Sequence, residues 1–497
     1  MHRRLALLAV LAAGGLLRAF VAPGAPVHAN GHGIAEVRVL VVDPPGAIAD
    51  SGPYGRTFFA FMSPMVSLLG RSERSVYGVN GALGTLAVLG MFLLAKAVEF
   101  SDAGALLAAL ALALSPCQVW LSGTESQMAM HLCFLLFGLA GLLAALRAER
   151  PAWLWGGVAL LAASATVHII TVMAFPAAVA FALLTAPRPP GGRLRRHLAA
   201  ALLVAAAWLA YHAVFLAPAA VRNGAARLDP WRLLLASAGR DILFDPSLTS
   251  PLVPALAAWG FLAAWSQRRR LALAAAAAFL VLVPLSFTVD VCRTDALRFQ
   301  APTQWIVYLL AAFPFSGLTR RSWGRLGSAV VAAGLALTSA YGLALVGRGD
   351  EEVDEYRFMR KIARGLPAGS VVRLPAGSSD GSLQTDFPDY IGKHELARGP
   401  ARVPGEDGLD LIGDRGLVYL GLDCYRSAGD EPLAAGRMRR ACKDVCRDRL
   451  VPVEEAVLDA DPGPWGYQKR FWELSSARPV VGLYRCEKAS GPRRAKG

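Results

Sequence analysis

The strongest constraint in this chain is a succession of apolar runs near residues 5–22, 77–97, 103–120, 127–146, 152–168, 169–186, 198–216, 251–266, 271–288, 302–318 and 326–346. Most are long enough to cross roughly 30 Å of hydrocarbon, and a few are short enough to need flanking loops. Inside hydrocarbon a backbone satisfies its polar groups only as a helix or a closed barrel. The pattern reads as an α-helical polytopic membrane protein with about 11 transmembrane helices. Composition agrees: 55% hydrophobic and 18% charged residues with a mean hydropathy of +0.41 exclude disordered, collagen-like and ordinary soluble classes.

Charge divides the chain in two. Residues 1–348 carry 27 Lys and Arg against 13 Asp and Glu, whereas residues 349–497 carry 24 of each, so the net +14 belongs to the apolar part. The basic residues flank the apolar runs instead of forming a stripe, which argues for cytosolic loops and against a nucleic-acid partner. With a cytoplasmic N-terminus, Arg3, Arg4, Lys96, Arg147, Arg150 and the arginines at 193–196, 268–270 and 320–325 all fall inside. Residues 23–76, a long first external loop, then fall outside, as do 121–126, 217–250, 289–301 and everything after Arg348. Residues 349–497 open with an acidic, helix-like segment and continue with alternating runs at 370–374, 416–422 and 480–485. They are expected to form a C-terminal extracytoplasmic α/β domain.

Met1 to about Ala29 also has the layout of a signal peptide, with Arg3 and Arg4 ahead of an apolar run and Val27-His28-Ala29 as a small-residue cleavage site. The run continues past Arg18 to Val21, so the reading adopted is an uncleaved first helix. Cys424, Cys442, Cys446 and Cys486 lie in the C-terminal domain, and an even number on the oxidising side of a membrane implies two disulfides. A four-cysteine zinc site is the rival reading. It is disfavoured because Cys442 and Cys446 sit four apart on an expected helix over 431–446, a spacing unlike paired zinc knuckles. Three pairings remain open.

Three short sequences at the outer face carry a family resemblance. Gly70, Ser72 and Glu73 form a G-x-S-E-like turn into the second helix; Leu114, Ser115 and Pro116, with Ser122 and Glu125 nearby, form an L-S-P link between the third and fourth; and Arg298-Phe299-Gln300-Ala301-Pro302 precedes a late helix. Together they resemble the glycosyltransferase-C superfamily, the group of protein O-mannosyltransferases and aminoarabinose transferases. The resemblance is continuous to about Ala186 and looser to Arg348. It implies a membrane glycosyltransferase that takes a sugar from a polyprenyl-phosphate carrier and passes it to an envelope glycan, lipid or protein acceptor on the extracytoplasmic face. Of the 51 basic residues most are Arg, as in a GC-rich bacterial genome, so the expected place is a bacterial inner membrane facing the periplasm.

Displacement at an anomeric carbon needs a base for the acceptor proton and positive charge for the departing phosphate. The family places an Asp or Asp-Glu pair shortly after the first helix, but this sequence has His28-Ala29-Asn30-Gly31-His32-Gly33-Ile34-Ala35-Glu36 there. Glu36 is the nearest carboxylate and the first choice of base, with Asp43 and an imidazole, His32, as rivals. His28, His32 and Glu36 are spaced i, i+4, i+8, and on one helix face they would ligate a divalent metal ion; Gly31 and Gly33 argue against that helix. No cofactor is certain. Arg298 is the choice for the carrier phosphate, because guanidinium pairs with phosphate through two parallel bonds. Arg56 is a second candidate, Tyr54 a sugar-stacking one, and Glu125 and His168 are polar groups at the outer helix ends. For each, a purely structural role is the alternative: an interfacial anchor for Arg298, a loop carboxylate for Glu125, helix packing for His168. His131 reads as a core histidine.

Two other classes fit the layout. A transporter or flippase of lipid-linked sugars would need internal symmetry and intramembrane charge pairs, neither of which is evident. A non-catalytic envelope assembly protein would use its spans only as anchors.

Overall fold

The computed structural model describes residues 2–22, 32–41, 56–124, 126–186, 190–212, 246, 248–287, 293–318 and 322–348, and further along 358, 361–362, 365–366, 372–373, 417–425, 437–446, 449–458, 476 and 478–487. By contact density the chain forms two units, one of Met1–Val27 with Pro44–Gly349, the other of His28–Asp43 with Asp350–Gly497.

The first unit is helical. Its elements are α1 (His2–Phe20), α3 (Arg56–Leu68), α4 (Glu73–Ala97), α5 (Asp102–Ala113), α6 (Pro116–Ser122), α7 (Met128–Ala148), α8 (Pro151–Ala165), a 3-10 turn (Ile169–Met173), α9 (Ala174–Thr185), α10 (Gly192–Tyr211), α11 (Leu252–Gln267), α12 (Arg269–Phe287), α13 (Arg293–Ala312), α14 (Phe315–Leu318) and α15 (Ser322–Arg348). α2 (His32–Val41) belongs to the second unit. Among the described residues, each apolar run expected to span lies for the most part on helix. Among the described residues, three helices are long and apolar enough to cross a membrane, Glu73–Ala97, Met128–Ala148 and Leu326–Gly347, and α5 with α6 makes a fourth if that bent pair is one span.

Local chemistry sets the helix ends. Ser72, Ser101 and Ser115 cap α4, α5 and α6 by accepting from the backbone N–H three residues on. Gly70 turns the chain into α4 at φ +83°, a conformation that favours glycine. Pro116 sits at the first position of α6, where its missing N–H costs nothing.

The segment expected as one continuous span over 103–120 is bent by 60° between α5 and α6. Small residues let the helices approach closely. A Cβ added at Gly157 of α8 would lie 2.6 Å from the Leu142 nitrogen of α7, and one at Gly260 of α11 would overlap the Leu310 carbonyl of α13. Outward faces carry Leu8, Leu16, Leu203, Leu262, Leu280 and Leu337, all exposed, as a lipid-facing surface requires.

The segment expected as the first external loop carries two helices. Residues 56–68 are the helix α3, whose Phe58, Phe59, Met62 and Val66 are buried, and residues 32–41 are the helix α2 despite Gly33. Gly33 falls in the first turn of α2, where a glycine weakens a helix less than in its interior.

The second unit contains a four-stranded sheet ordered β1-β2-β4-β3, from β1 (Val372–Arg373), β2 (Leu417–Leu420), β3 (Arg449–Val457) and β4 (Val480–Glu487). β1 and β2 are parallel, whereas β4 runs antiparallel to both neighbours. The register of β3 slips at Pro452, which has no N–H to give a ladder.

Tyr425 fastens β4 by donating to the Val480 carbonyl at 2.9 Å and accepting from the Val480 N–H at 3.2 Å. Its burial pushes the phenol above the ordinary tyrosine value. Disulfides join Cys424 to Cys442 and Cys446 to Cys486. The helix expected over 431–446 is confined, among the described residues, to α16 (Arg440–Lys443), so Cys442 and Cys446 lie at its end and in the following turn and reach different partners.

Candidate functional site

One end of the helical unit holds a layer of buried polar side chains within an otherwise apolar body. Its origin is the break between α5 and α6. With Leu114 and Ser115 out of helical conformation, Ser115 is free to cap α6 and to accept from the Tyr308 hydroxyl of α13 at 2.7 Å. One turn on, Gln118 Nε2 donates to Gln304 Oε1 at 2.5 Å. At the end of α6, Ser122 donates to the Gln118 carbonyl at 2.6 Å and accepts from Arg18 Nε at 3.2 Å. The guanidinium of Arg18, only 6% exposed, also donates to the carbonyls of Gly14 at 2.9 Å and Ala113 at 3.5 Å.

Among the described residues no carboxylate lies within ion-pairing distance of Arg18. A guanidinium buried among neutral acceptors leaves a net positive field there, which favours an anion. Gly84 of α4 makes room for this contact, since a Cβ there would overlap Ser122 Oγ.

The layer continues through α4, α7 and α8. Asn80 Nδ2 donates to the carbonyls of Thr124 at 2.6 Å and Ser126 at 3.2 Å, pinning both neighbours of Glu125. His131 Nδ1 bonds Ser164 Oγ at 2.7 Å, tying α7 to α8 as a packing histidine does. Thr57 and Thr166 share a hydrogen bond of 2.9 Å that holds the start of α3 against the end of α8. Thr171 accepts from the His168 N–H at 3.3 Å and donates to the Ala165 carbonyl at 3.2 Å, fixing the turn that carries His168. Asn80 Oδ1, His131 Nε2 and Gln304 Nε2 are buried with no partner among the described residues, so the layer keeps hydrogen-bonding capacity to spare.

Residues singled out in the sequence fall on several of the helices. His168 is buried in the layer, and Arg56 opens α3 beside Thr57. Arg298 lies on α13 six residues before Gln304, about 9 Å of helix rise towards the end at which Ser122 lies. The helix begins at Arg293, so Pro302, expected at the entry to a late helix, falls inside α13. Lacking an N–H, it leaves the Arg298 carbonyl without its helical donor. Glu36 is 7% exposed on α2 in the second unit, with His32 one turn earlier on the same helix. His28, Asp43, Tyr54 and Glu125 lie outside the described residues. No group of three metal-ligating side chains occurs among the described residues, and the His28, His32 and Glu36 set is not wholly among them.

Arg18, Asn80, Gln118, Gln304 and Tyr308 were not singled out in the sequence. Arg18 carried a usable signal, a charge within an apolar run.

No protein-family model matches the sequence, and no curated protein matches it. Solved structures do. ArnT from Cupriavidus metallidurans bound to undecaprenyl phosphate superposes with a TM-score of 0.54 at 15% identity, covering 81% of this chain and 86% of that one. Its apo form gives 0.52 at 15% identity, over 80% and 84%. The oligosaccharyltransferase of Archaeoglobus fulgidus in the apo form is more distant, with a TM-score of 0.49 at 13% identity and 81% of this chain covered. The chain spans less than two thirds of the archaeal enzyme's length, 65% in that form and 62% in the form with zinc and sulfate. At such identity the likeness speaks for architecture. The chain shares the fold of ArnT, as the glycosyltransferase-C resemblance implies.

Proposed function

We propose that this protein is a membrane glycosyltransferase that takes a sugar from a polyprenyl-phosphate carrier and transfers it to a glycan, lipid or protein acceptor of a bacterial envelope. The observation that carries this reading is the polar layer with Arg18 at its centre, set in one end of a body whose fold is shared with an enzyme solved with undecaprenyl phosphate. A lipid carrier of this kind keeps its isoprenoid tail in hydrocarbon and its phosphate at the boundary, so a protein using it needs a polar end on an apolar body.

In the proposed reaction the acceptor hydroxyl oxygen bonds to the anomeric carbon while the bond from that carbon to the phosphate oxygen breaks. The acceptor proton passes to the Glu36 carboxylate, and the electron pair leaves with the carrier phosphate. Asp43 and His32 are the rival bases. Arg298 receives the phosphate, with Arg56 as second choice and the field of Arg18 behind them. Tyr54, Glu125 and His168 contact the sugar. A divalent ion held by His28, His32 and Glu36 would screen the phosphate charge. The N-terminus is placed in the cytoplasm, and the domain after Arg348, with its two disulfides, outside it, where it serves the acceptor.

The test is incubation of the purified chain with a panel of radiolabelled polyprenyl-phosphate sugars and envelope extract, with and without a chelator. Label transfer with release of carrier phosphate is expected. Carrier binding without transfer from any donor would move the reading to a transporter, and no carrier binding would move it to an assembly protein.

A further inference from the structure

The helical unit holds a second polar feature, at the end opposite the buried layer. A cavity of about 330 Å³ opens between the turn after α4 and the ends of α7, α9 and α11, lined by Glu99, Arg147, Thr185, Arg268, Arg269 and Arg270. Val98, on its rim, is about 21 Å of helix rise along α4 from Gly84, and Arg147 is about 24 Å along α7 from His131. The cavity and the polar layer are separate sites.

Four guanidinium groups meet one carboxylate here. Glu99, held in the left-handed conformation at φ 64°, pairs with Arg147 at 3.4 Å and Arg268 at 3.6 Å. Arg268 also donates to the Val98 carbonyl at 2.8 Å. Arg147 Nε is buried with no acceptor among the described residues. Arg269 stacks on the exposed ring of Trp265 at 5.0 Å. Arg269 and Arg270 also occupy the first turn of α12, which contains no acidic residue. That arrangement opposes the helix dipole, whose positive end favours an anion. The local excess of three positive charges, an unmet buried donor and a helix start of the wrong sign all call for an anionic ligand of more than one oxygen. The exposed ring of Trp265 under Arg269 brings apolar surface beside the cavity.

We propose that this cavity binds a phosphate group, carried on a phospholipid or free, at a site distinct from the one that handles the carrier. Arg147 and Arg268 grip its oxygens, Glu99 holds both arginines in place in its absence, and Arg269 and Arg270 supply the field. A bound phosphate competes with Glu99 for the same guanidinium donors.

The full chain, delipidated in a non-ionic detergent, would be titrated with dimyristoylphosphatidylglycerol and, in parallel, with dimyristoylphosphatidylcholine, bound lipid being counted by native mass spectrometry. Saturable binding of the anionic lipid at least tenfold tighter than the zwitterionic one is expected. Arg268→Gln with Arg270→Gln should weaken it at least tenfold, while Arg193→Gln with Arg195→Gln, elsewhere on the basic surface, should leave it within twofold. Glu99→Gln should tighten it about threefold, a gain that a variant damaged in folding does not give. Displacement of the lipid by millimolar inorganic phosphate identifies the free anion as the ligand, and persistence of the lipid identifies the lipid-borne one. Equal binding by wild type and the Arg268 and Arg270 variant, or equal loss in the Arg193 and Arg195 control, overturns the proposal.

Discussion

At the scale of single residues, the polar layer is a set of groups whose value depends on their partners. Tyr308 and Ser115 illustrate it: a phenol and a hydroxyl, both buried, bonded at 2.7 Å. Replacing Tyr308 by Phe removes one of the two donors to Ser115 and should lower stability by about 1–2 kcal/mol, read as a drop in the detergent melting midpoint. Ser115→Ala should cost more, because it also removes the cap of α6, and the double change should cost less than the sum of the two; simple additivity would show that the contact is not made. For the reaction, Glu36→Gln should reduce transfer by at least 100-fold with an unchanged melting midpoint, since an amide takes no proton. Full activity in that variant alongside loss in Asp43→Asn would move the base to Asp43. Sequence reading reached Glu36 as the first carboxylate after an apolar run. It passed over Arg18, whose partners Ser122 and Ala113 come from two other helices and become visible only when those helices pack.

At the scale of elements, helices with an apolar run were legible because burial against neighbours and lipid both demand apolar side chains. What composition did not show was where such a run breaks. Residues 103–120 are uniformly apolar apart from Ser115, Pro116 and Gln118, yet it is the cap at Ser115 and the proline after it that turn α5 into α6 and bring Ser115, Gln118 and Ser122 to the polar layer. β3 was missed for the converse reason: the sequence Arg-Leu-Val-Pro-Val-Glu-Glu-Ala-Val has a proline and two adjacent acidic residues, which its bulge accommodates.

Close helix contacts yield a prediction here. Gly260 of α11 lies against the Leu310 backbone of α13, so Gly260→Ala should force the pair apart and cost about 1–3 kcal/mol, whereas Gly156→Ala, with open space around it, should be neutral or stabilising. A melt of the two variants side by side distinguishes packing from propensity. In the second unit, the disulfides close loops of 18 and 40 residues, worth about 3 and about 4 kcal/mol by loop entropy. Protease should therefore cut this unit much faster after reduction, and faster in Cys446→Ser with Cys486→Ser than in Cys424→Ser with Cys442→Ser.

At the scale of the whole molecule, the two chemical ends of the helical unit and the charge of the chain support one orientation. The arginines at 147 and 268–270 lie at the end of α7 and α11 opposite the polar layer, and the positive-inside rule puts such residues in the cytosol. The proposed orientation puts that end in the cytosol, and the disulfides Cys424–Cys442 and Cys446–Cys486 are expected in an oxidising compartment. The basic end and the two disulfides together make one topological prediction. Alkaline phosphatase, active only when exported, should be active when fused after Gly497 and inactive when fused after Arg196 or Arg270. The inverse pattern would place the disulfide-bearing unit among reducing thiols and the polar layer in the cytosol, and the proposal of extracytoplasmic transfer would fall with it. Activity at both Gly497 and Arg270 would mean that an odd number of the helices after α11 fails to cross. α12, α13 and α15 would then need to be tested one at a time by fusions after Phe287, Leu318 and Arg348.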